Sequence, residues 1–254
     1  MGYNHYDYID DYNIYCSCME NRKYAQAQIW AIVVLLLFTM CRSEVTSTQQ
    51  SSAEPVEVKD TTDRLPEVVY YDYDTSAWLE ITESSGIIRD IKYATADNFT
   101  EKVIYDCGRC FLRPEISRKL IQLNKGIEHR YGLRLKVYDC YRPRPAQQKL
   151  WDIVPDARYV TPPHRGSMHN RGMAVDITLV DREGEELDMG TPYDFFGKDA
   201  HTDHNDLPEE VLKNRNILQT MMREIGFRTI RTEWWHFSYE GERAPLEEWV
   251  WNCD

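Results

Sequence analysis

The 254-residue sequence has no apolar run long enough to cross a bilayer as a helix, no glycine-rich phosphate loop, no internal repeat and no surplus of positive charge. Each absence removes a class of protein. A spanning helix needs about 20 apolar residues, and the single apolar run, Ile29 to Met40, has 12, so a membrane-embedded protein is excluded. Without a phosphate loop or βαβ regularity, a nucleotide-binding α/β fold has no support. Lys and Arg number 30 against 42 Asp and Glu, a formal charge of −12. That balance argues against holding a phosphate backbone by counterion release, and therefore against a nucleic-acid partner. Aromatic residues, in contrast, are plentiful: 7 Trp, 17 Tyr and 7 Phe are too many for a disordered chain and enough to fill a core.

The apolar run follows Arg22 and Lys23 and precedes Cys41, Arg42 and Ser43, the layout of a secretory signal. A retained signal anchor, since extending the run back to Ala25 nearly reaches spanning length, and a buried core helix are the alternatives. Residues 1–18 are rich in Tyr and Asp, an unusual lead for such a segment, and Met19 followed by Glu-Asn-Arg-Lys makes a more regular start. Cys41 stands where a bacterial lipoprotein carries its lipidated cysteine. Met40 is larger than the small residue expected before it, which leaves ordinary cleavage nearby as the other reading. Residues 1–43 are thus an N-terminal extension and signal or lipoprotein segment. Residues 44–63, rich in Ser, Thr, Gln and Glu, form a flexible tether, and residues 64–254 form one domain. The expected location is exported, in the periplasm or cell envelope, with a membrane tether through the N-terminus.

Within the domain, Arg113-Pro114 opens a helical pattern with Ile116, Leu120, Ile121 and Ile127 on one side and Gly132 past its end. Leu133, Leu135 and Val137 then alternate with polar residues as a strand that runs into Asp139-Cys140-Tyr141-Arg142-Pro143. A short helix follows from Pro145 to Trp151. Met173 to Val180 reads as a second strand, with Val175, Ile177 and Leu179 on its core face and Ala174, Asp176 and Thr178 on the other. Asp206-Leu207-Pro208-Glu209 resembles a capping box opening a helix whose stripe is Val211, Leu218, Met221, Met222 and Ile225. Glu233 to Tyr239 reads as the last strand. This mixed order predicts an α+β fold with a central, mainly antiparallel sheet and flanking helices.

Polar residues cluster at or beside these strands: Arg142, the segment from Ser167 to Asp176, and Glu233 to His236. His169, Asp176 and His236 suit a zinc ion, because catalytic zinc takes three N/O ligands and leaves a position open for water. Glu233 is then the candidate for a carboxylate that accepts the water's proton and passes it to a leaving amine. Gly172 permits a turn that brings His169 and Asp176 together. Glu233 and His236 fit a regular strand poorly, since residues three apart face opposite sides; the chain must bend or bulge there, or Glu233 must precede the strand. Taken singly, each of these residues has an ordinary explanation as a packed, capping or surface group.

Together, Ser167-x-His169-x-x-Gly172-x-Ala174-x-Asp176 and Glu233-x-x-His236 resemble the signature of the zinc D-alanyl-D-alanine peptidases that share a fold with the hedgehog signalling domain. Within that group the sequence is most similar to the D-alanyl-D-alanine dipeptidases of the vancomycin-resistance type. Residues 90–100, Asp139 to Pro143, Met189 to Phe195 and Glu233 to Phe237 extend the resemblance in order from about Ile87 to Tyr239. The resemblance implies a hedgehog-like fold, one zinc ion on His169, Asp176 and His236, and hydrolysis of the D-Ala-D-Ala dipeptide by zinc-activated water. Glu233 would be the general acid/base, and Arg142 would stabilise the oxyanion. It further implies that Ser167 holds the substrate carboxylate, that Asp194 pairs with the free ammonium, and that Tyr93 walls the pocket. His164, His201 and His204 occupy no ligand position in that pattern and read as surface or loop residues. Trp234 and Trp235 read as packing residues.

Two further readings share these residues: a peptidoglycan D,D-carboxypeptidase or endopeptidase with an open amino-end subsite, and a non-catalytic zinc-binding module. Of the seven cysteines, Cys107, Cys110, Cys140 and Cys253 lie in the domain. Two disulfides among them have three connectivities. A Cys110–Cys140 bridge, tying the start of the first helix to the strand before Arg142, is the preferred pairing. Cys107-Gly-Arg-Cys110 alone is a weak redox or metal motif.

Overall fold

Pro114 occupies the first turn of the longest helix, where its missing N–H costs nothing, and Gly132 ends it at φ 66° with its own N–H bonded to the Glu128 carbonyl. This helix, α1 (Pro114–Tyr131), carries Glu115 in its first turn and His129 and Arg130 in its last, the arrangement that complements the helix dipole. Ile116, Leu120 and Ile127 are buried as its periodicity requires, while Ile121 is half-buried. The computed structural model describes residues 71–253. The N-terminal extension, the apolar run, Met19, Cys41, the tether and the boundaries at residues 43 and 63 lie outside them.

In chain order the described elements are β1 (Leu79–Glu80), β2 (Ile88–Arg89), β3 (Phe111–Leu112), α1, β4 (Arg134–Asp139), α2 (Arg144–Ile153), β5 (Ala174–Val180), α3 (Glu209–Glu224), β6 (Phe227–Thr229) and β7 (His236–Tyr239). Five strands form one sheet in the order β2-β4-β5-β7-β6, antiparallel except for the β2–β4 pair, and β1 pairs with β3 separately. Helix α1 packs on β4, and α3 packs on β6 and β5. The architecture is therefore α+β with a mainly antiparallel sheet, as the order of elements predicts. None of the described helices is long and apolar enough to cross a membrane.

Four local departures from the sequence reading have physical causes. First, all seven residues of β5 are buried, because its polar face, with Asp176, turns inward onto a cavity instead of outward to water. Second, Asp206 makes no cap for α3: Pro208 is the N-cap residue and no side-chain hydrogen bond closes the turn. Third, β7 begins at His236, so Glu233 precedes the strand and the awkward three-residue spacing never has to be met inside it. Fourth, α2 runs two residues beyond Trp151.

One irregularity matters for the site. Val137 lies opposite Ile177, yet Asp139 lies opposite Asp176, so β4 carries an extra residue at Tyr138. A bulge of this kind shifts the following side chains to the other face. Asp139 is thereby brought to the same face as Asp176.

Two disulfides close the domain. Cys110–Cys140 is the expected bridge, and Cys107–Cys253 ties the C-terminal segment back to the loop before β3. The adjacent Cys107 and Cys110 thus belong to different bridges and form no redox pair. The tail is further held by Arg113–Glu247 and Arg144–Glu248 ion pairs and by Trp249 stacked on Trp78.

Candidate active site and metal centre

Gly172 caps the single turn His169–Arg171 in the left-handed conformation, φ 66°. A side chain there would also meet Trp78, since a Cβ would stand 2.4 Å from its Cζ3. The turn delivers His169 beside the start of β5, where Asp176 lies opposite His236 of β7. The three ligand atoms converge. His236 Nδ1 is 3.0 Å from Asp176 Oδ1, His169 Nε2 is 3.2 Å from the same oxygen, and the two ring nitrogens are 3.1 Å apart. All three residues are buried.

The remaining atoms of the trio are committed elsewhere. The Cys140 carbonyl, 2.7 Å from His169 Nδ1, can only accept, so Nδ1 carries a hydrogen and a neutral ring presents its Nε2 lone pair to the cluster. His236 Nε2 faces Ser238 Oγ at 2.9 Å, and the Tyr193 hydroxyl donates to Asp176 Oδ2 at 3.0 Å. Burial would raise the Asp176 carboxyl, but the two imidazoles overrule it and hold it far below the usual carboxylate range. Lone pairs of three buried N/O donors aimed at one point fit a divalent cation. Tetrahedral zinc at about 2.0–2.1 Å from its ligands spaces them about 3.3 Å apart, close to the separations found. The outer hydrogen bonds are those that orient metal ligands.

A cavity of about 360 Å³ opens over this cluster, and all eight residues singled out from the sequence line it: Tyr93, Arg142, Ser167, His169, Asp176, Asp194, Glu233 and His236. Glu233 Oε2 lies 4.0 Å from His236 Nδ1, and the side chain is 21% exposed. Burial, reinforced by the Asp176 charge, pushes its carboxyl up to about 7 against the opposing pull of His236 and Arg142. Arg142 is buried with Nη2 3.8 Å from Asp176 Oδ2. Its guanidinium is fixed from two sides: Nε and Nη2 donate to Asp139 Oδ2 at 3.0 and 2.7 Å, and Nη1 donates to Gln147 Oε1 at 3.1 Å. Tyr105 donates to the other Asp139 oxygen at 2.7 Å, and Gln147 is itself anchored on the Thr161 carbonyl.

Asp194 has φ 59°, a left-handed conformation rare outside glycine and tolerated best by Asp and Asn. Its Oδ2 accepts the Tyr93 hydroxyl at 3.0 Å. Burial and the nearby Asp176 charge push its carboxyl well up, with Arg142 and Tyr93 only partly compensating. Ser167 lines the cavity, but its hydroxyl donates to Asn170 Oδ1 at 3.1 Å, and Asn170 in turn donates to the Arg142 carbonyl at 2.7 Å. The buried Trp234 and Trp235 pack as expected, Trp234 donating to Thr191 and Trp235 forming cavity wall. His164, His201 and His204 stand outside the cavity lining.

Asp139, Gln147, Asn170, Tyr105 and Tyr193 were not singled out from the sequence. Asp139, Asn170 and Tyr193 lie within the matching segments, but the role of Asp139 depends on the bulge, and the other four act through side-chain contacts that no residue spacing announces.

These arrangements agree with relationships to known proteins. A family model described as D-ala-D-ala dipeptidase (Peptidase_M15) matches residues 82–250. The chain is 42% identical over 148 residues to the D-alanyl-D-alanine dipeptidase of Escherichia coli (strain K12), covering 58% of this chain and 76% of that one. It is 30% identical over 181 residues to the D-alanyl-D-alanine dipeptidase of Enterococcus faecium, covering 63% and 89%. Among solved structures, "VanYB in complex with D-Alanine-D-Alanine" is similar over 52% of this chain and 73% of that chain, at 18% identity and a TM-score of 0.34. Because the matched segment takes in the whole cavity lining from Tyr93 to Ser238, the chain belongs to the D-ala-D-ala dipeptidase family.

Proposed function

We propose that this chain is a zinc-dependent dipeptidase that hydrolyses D-alanyl-D-alanine, with His169, Asp176 and His236 holding one zinc ion. The observation that carries the reading is the convergence of three buried ligand atoms within 3.0–3.2 Å of one another on the floor of a cavity that also holds Glu233, Arg142 and Asp194. Zinc on such a set supplies a Lewis acid and lowers the pKa of water at its open position.

The chain's own groups supply the rest. Glu233, beside the ligand cluster and held near neutrality, takes a proton from the attacking water onto its carboxylate and returns it to the leaving amine nitrogen. Arg142 donates N–H groups to the oxygen that gains charge as the carbonyl becomes tetrahedral. Its fixation by Asp139 and Gln147 means that little reorganisation is needed at that moment. Asp194, buried and beside the Asp176 charge, receives the free ammonium, with the Tyr93 hydroxyl holding its Oδ2 in place. That pairing favours a dipeptide over an N-acylated peptide. Ser167 contributes to the carboxylate end only if it gives up Asn170.

The test is hydrolysis of D-Ala-D-Ala beside an N-acetylated D-Ala-D-Ala by the zinc-loaded protein, with Glu233→Ala as control. Cleavage of the free dipeptide alone, lost in the control, is expected. Cleavage of the acetylated peptide would reassign the chain to the carboxypeptidases, and zinc binding without cleavage of either would make it a binding module.

We also propose export to the cell envelope, with residues 29–40 as the signal and Cys41 as the site of lipid attachment and membrane tethering. The two disulfides, Cys110–Cys140 in the core and Cys107–Cys253 nearer the surface, support an oxidising compartment. Metabolic labelling with a radiolabelled fatty acid, lost in Cys41→Ser, checks the tether.

A further inference from the structure

The cavity holds three cations, and only one is accounted for. Arg142 is committed to Asp139 and Gln147. Arg165 and Arg228 also line the cavity, and among the described residues neither side chain has a hydrogen-bond or ion-pair partner. Arg165 belongs to the turn that starts at Pro162 and ends at Gly166, directly before Ser167. Arg228 belongs to β6, opposite Ser238 of β7. Residues opposite one another share a sheet face, so Arg228 stands next to Ser238, whose hydroxyl pairs with His236 Nε2.

Across the sheet the order is β4, β5, β7, β6. Asp194 sits at the first end: its partner Tyr93 lies under the Arg142 guanidinium at 5.1 Å, and its neighbour Tyr193 bonds Asp176 and packs on Tyr138 of β4. Arg228 sits at the other. From β5 to β6 is two strand spacings, about 10 Å. An extended dipeptide reaches about 7 Å, and a charge-assisted hydrogen bond covers about 3 Å more. The span from β5 to β6 therefore fits a dipeptide and one such bond, with the acidic Asp194 on the β4 side and the exposed, unpartnered Arg228 on β6.

We propose that Arg228, with Arg165 from the loop before Ser167, is the carboxylate-binding residue that fixes the orientation of the substrate: ammonium at Asp194, carboxylate at β6. The proposal rests on the dipeptidase reading and deepens it. It also explains why Ser167 can remain bonded to Asn170, since the carboxylate has a cation to receive it.

The test compares D-Ala-D-Ala with its C-terminal amide, D-alanyl-D-alaninamide, which keeps the ammonium and loses the anion. Steady-state kinetics of the zinc-loaded protein are measured for wild type, Arg228→Gln, Arg228→Lys and Arg165→Gln. Calorimetric binding is measured in a Glu233→Ala background, with and without Arg228→Gln, so that the result does not depend on turnover. Arg228→Gln should raise KM and Kd for D-Ala-D-Ala about ten- to a hundredfold with kcat and zinc content unchanged, and leave the amide unaffected. Arg228→Lys should recover part of the loss, and Arg165→Gln should give a smaller loss of the same kind. Equal losses for dipeptide and amide, no loss for either, or no binding of D-Ala-D-Ala to the Glu233→Ala parent would overturn the assignment. If wild type cleaves neither compound yet the binding difference appears, the dipeptidase reading fails and the carboxylate subsite stands.

Discussion

Asp139 is fully buried and takes three hydrogen bonds, two from Arg142 and one from Tyr105. It is the residue on which the cation of the site depends. Asp139→Ala strips a buried guanidinium of its hydrogen-bonded counter-charge and leaves only Asp176 at 3.8 Å, a change that costs about 3 kcal/mol and should appear as a lower urea midpoint with the slope unchanged. Gln147→Leu is milder: Arg142 loses one neutral partner, about 1–2 kcal/mol. Because the guanidinium then wanders, the loss should fall on kcat with little change in KM, and a loss confined to KM would contradict the positioning role. His169, Asp176, His236 and Glu233 were legible as a set, from their joint spacing and the resemblance it carries, because each alone has an ordinary explanation; locally, Gly172 turns His169 toward β5 and Glu233 lies just before β7. Arg228 was not legible. An arginine after Gly226-Phe227 looks like any surface residue until β6 is paired with β7 and Ser238 is found opposite it.

At the scale of elements, helix α1 and strands β4 and β5 could be read from Pro114, Gly132 and the alternation around Val137 and Ile177, since each carries its own period. β1, β2 and β3 could not, because two residues have no period and their pairing partners lie far along the chain. The bulge at Tyr138 was equally silent, although it decides which face Asp139 occupies. The disulfides act on different elements. Cys110–Cys140 ties β3 to the residue whose carbonyl orients His169, whereas Cys107–Cys253 holds the tail. Replacing Cys110 and Cys140 by Ala should weaken zinc binding about 10–100-fold, the usual cost of loosening a ligand's outer partner. Replacing Cys107 and Cys253 should lower thermal stability and leave zinc affinity as it was. Competition with a chromogenic chelator measures both, and equal zinc affinity in the two variants would refute the distinction.

For the whole molecule, an ion on the proposed trio His169, Asp176 and His236 would couple metal to folding. An ion bound by the native state alone stabilises it by mass action, so chelation should lower Tm by about 5–15 °C and added zinc should restore it. A scan that is the same with and without chelator would show that the trio does not hold the ion. The trio is also the meeting point of β5, β7 and the turn at His169, so the loss should be global and cooperative instead of confined to one loop.

The bridge from Cys107 to Cys253 has a topological consequence. It closes 146 residues of separation into a covalent ring that contains every proposed metal ligand, and the smaller Cys110–Cys140 loop sits inside it. A protease that cuts once in the long segment between β5 and α3 would therefore release nothing. The nicked protein should migrate as a single full-mass band without reductant and separate into two fragments once the bridge is reduced.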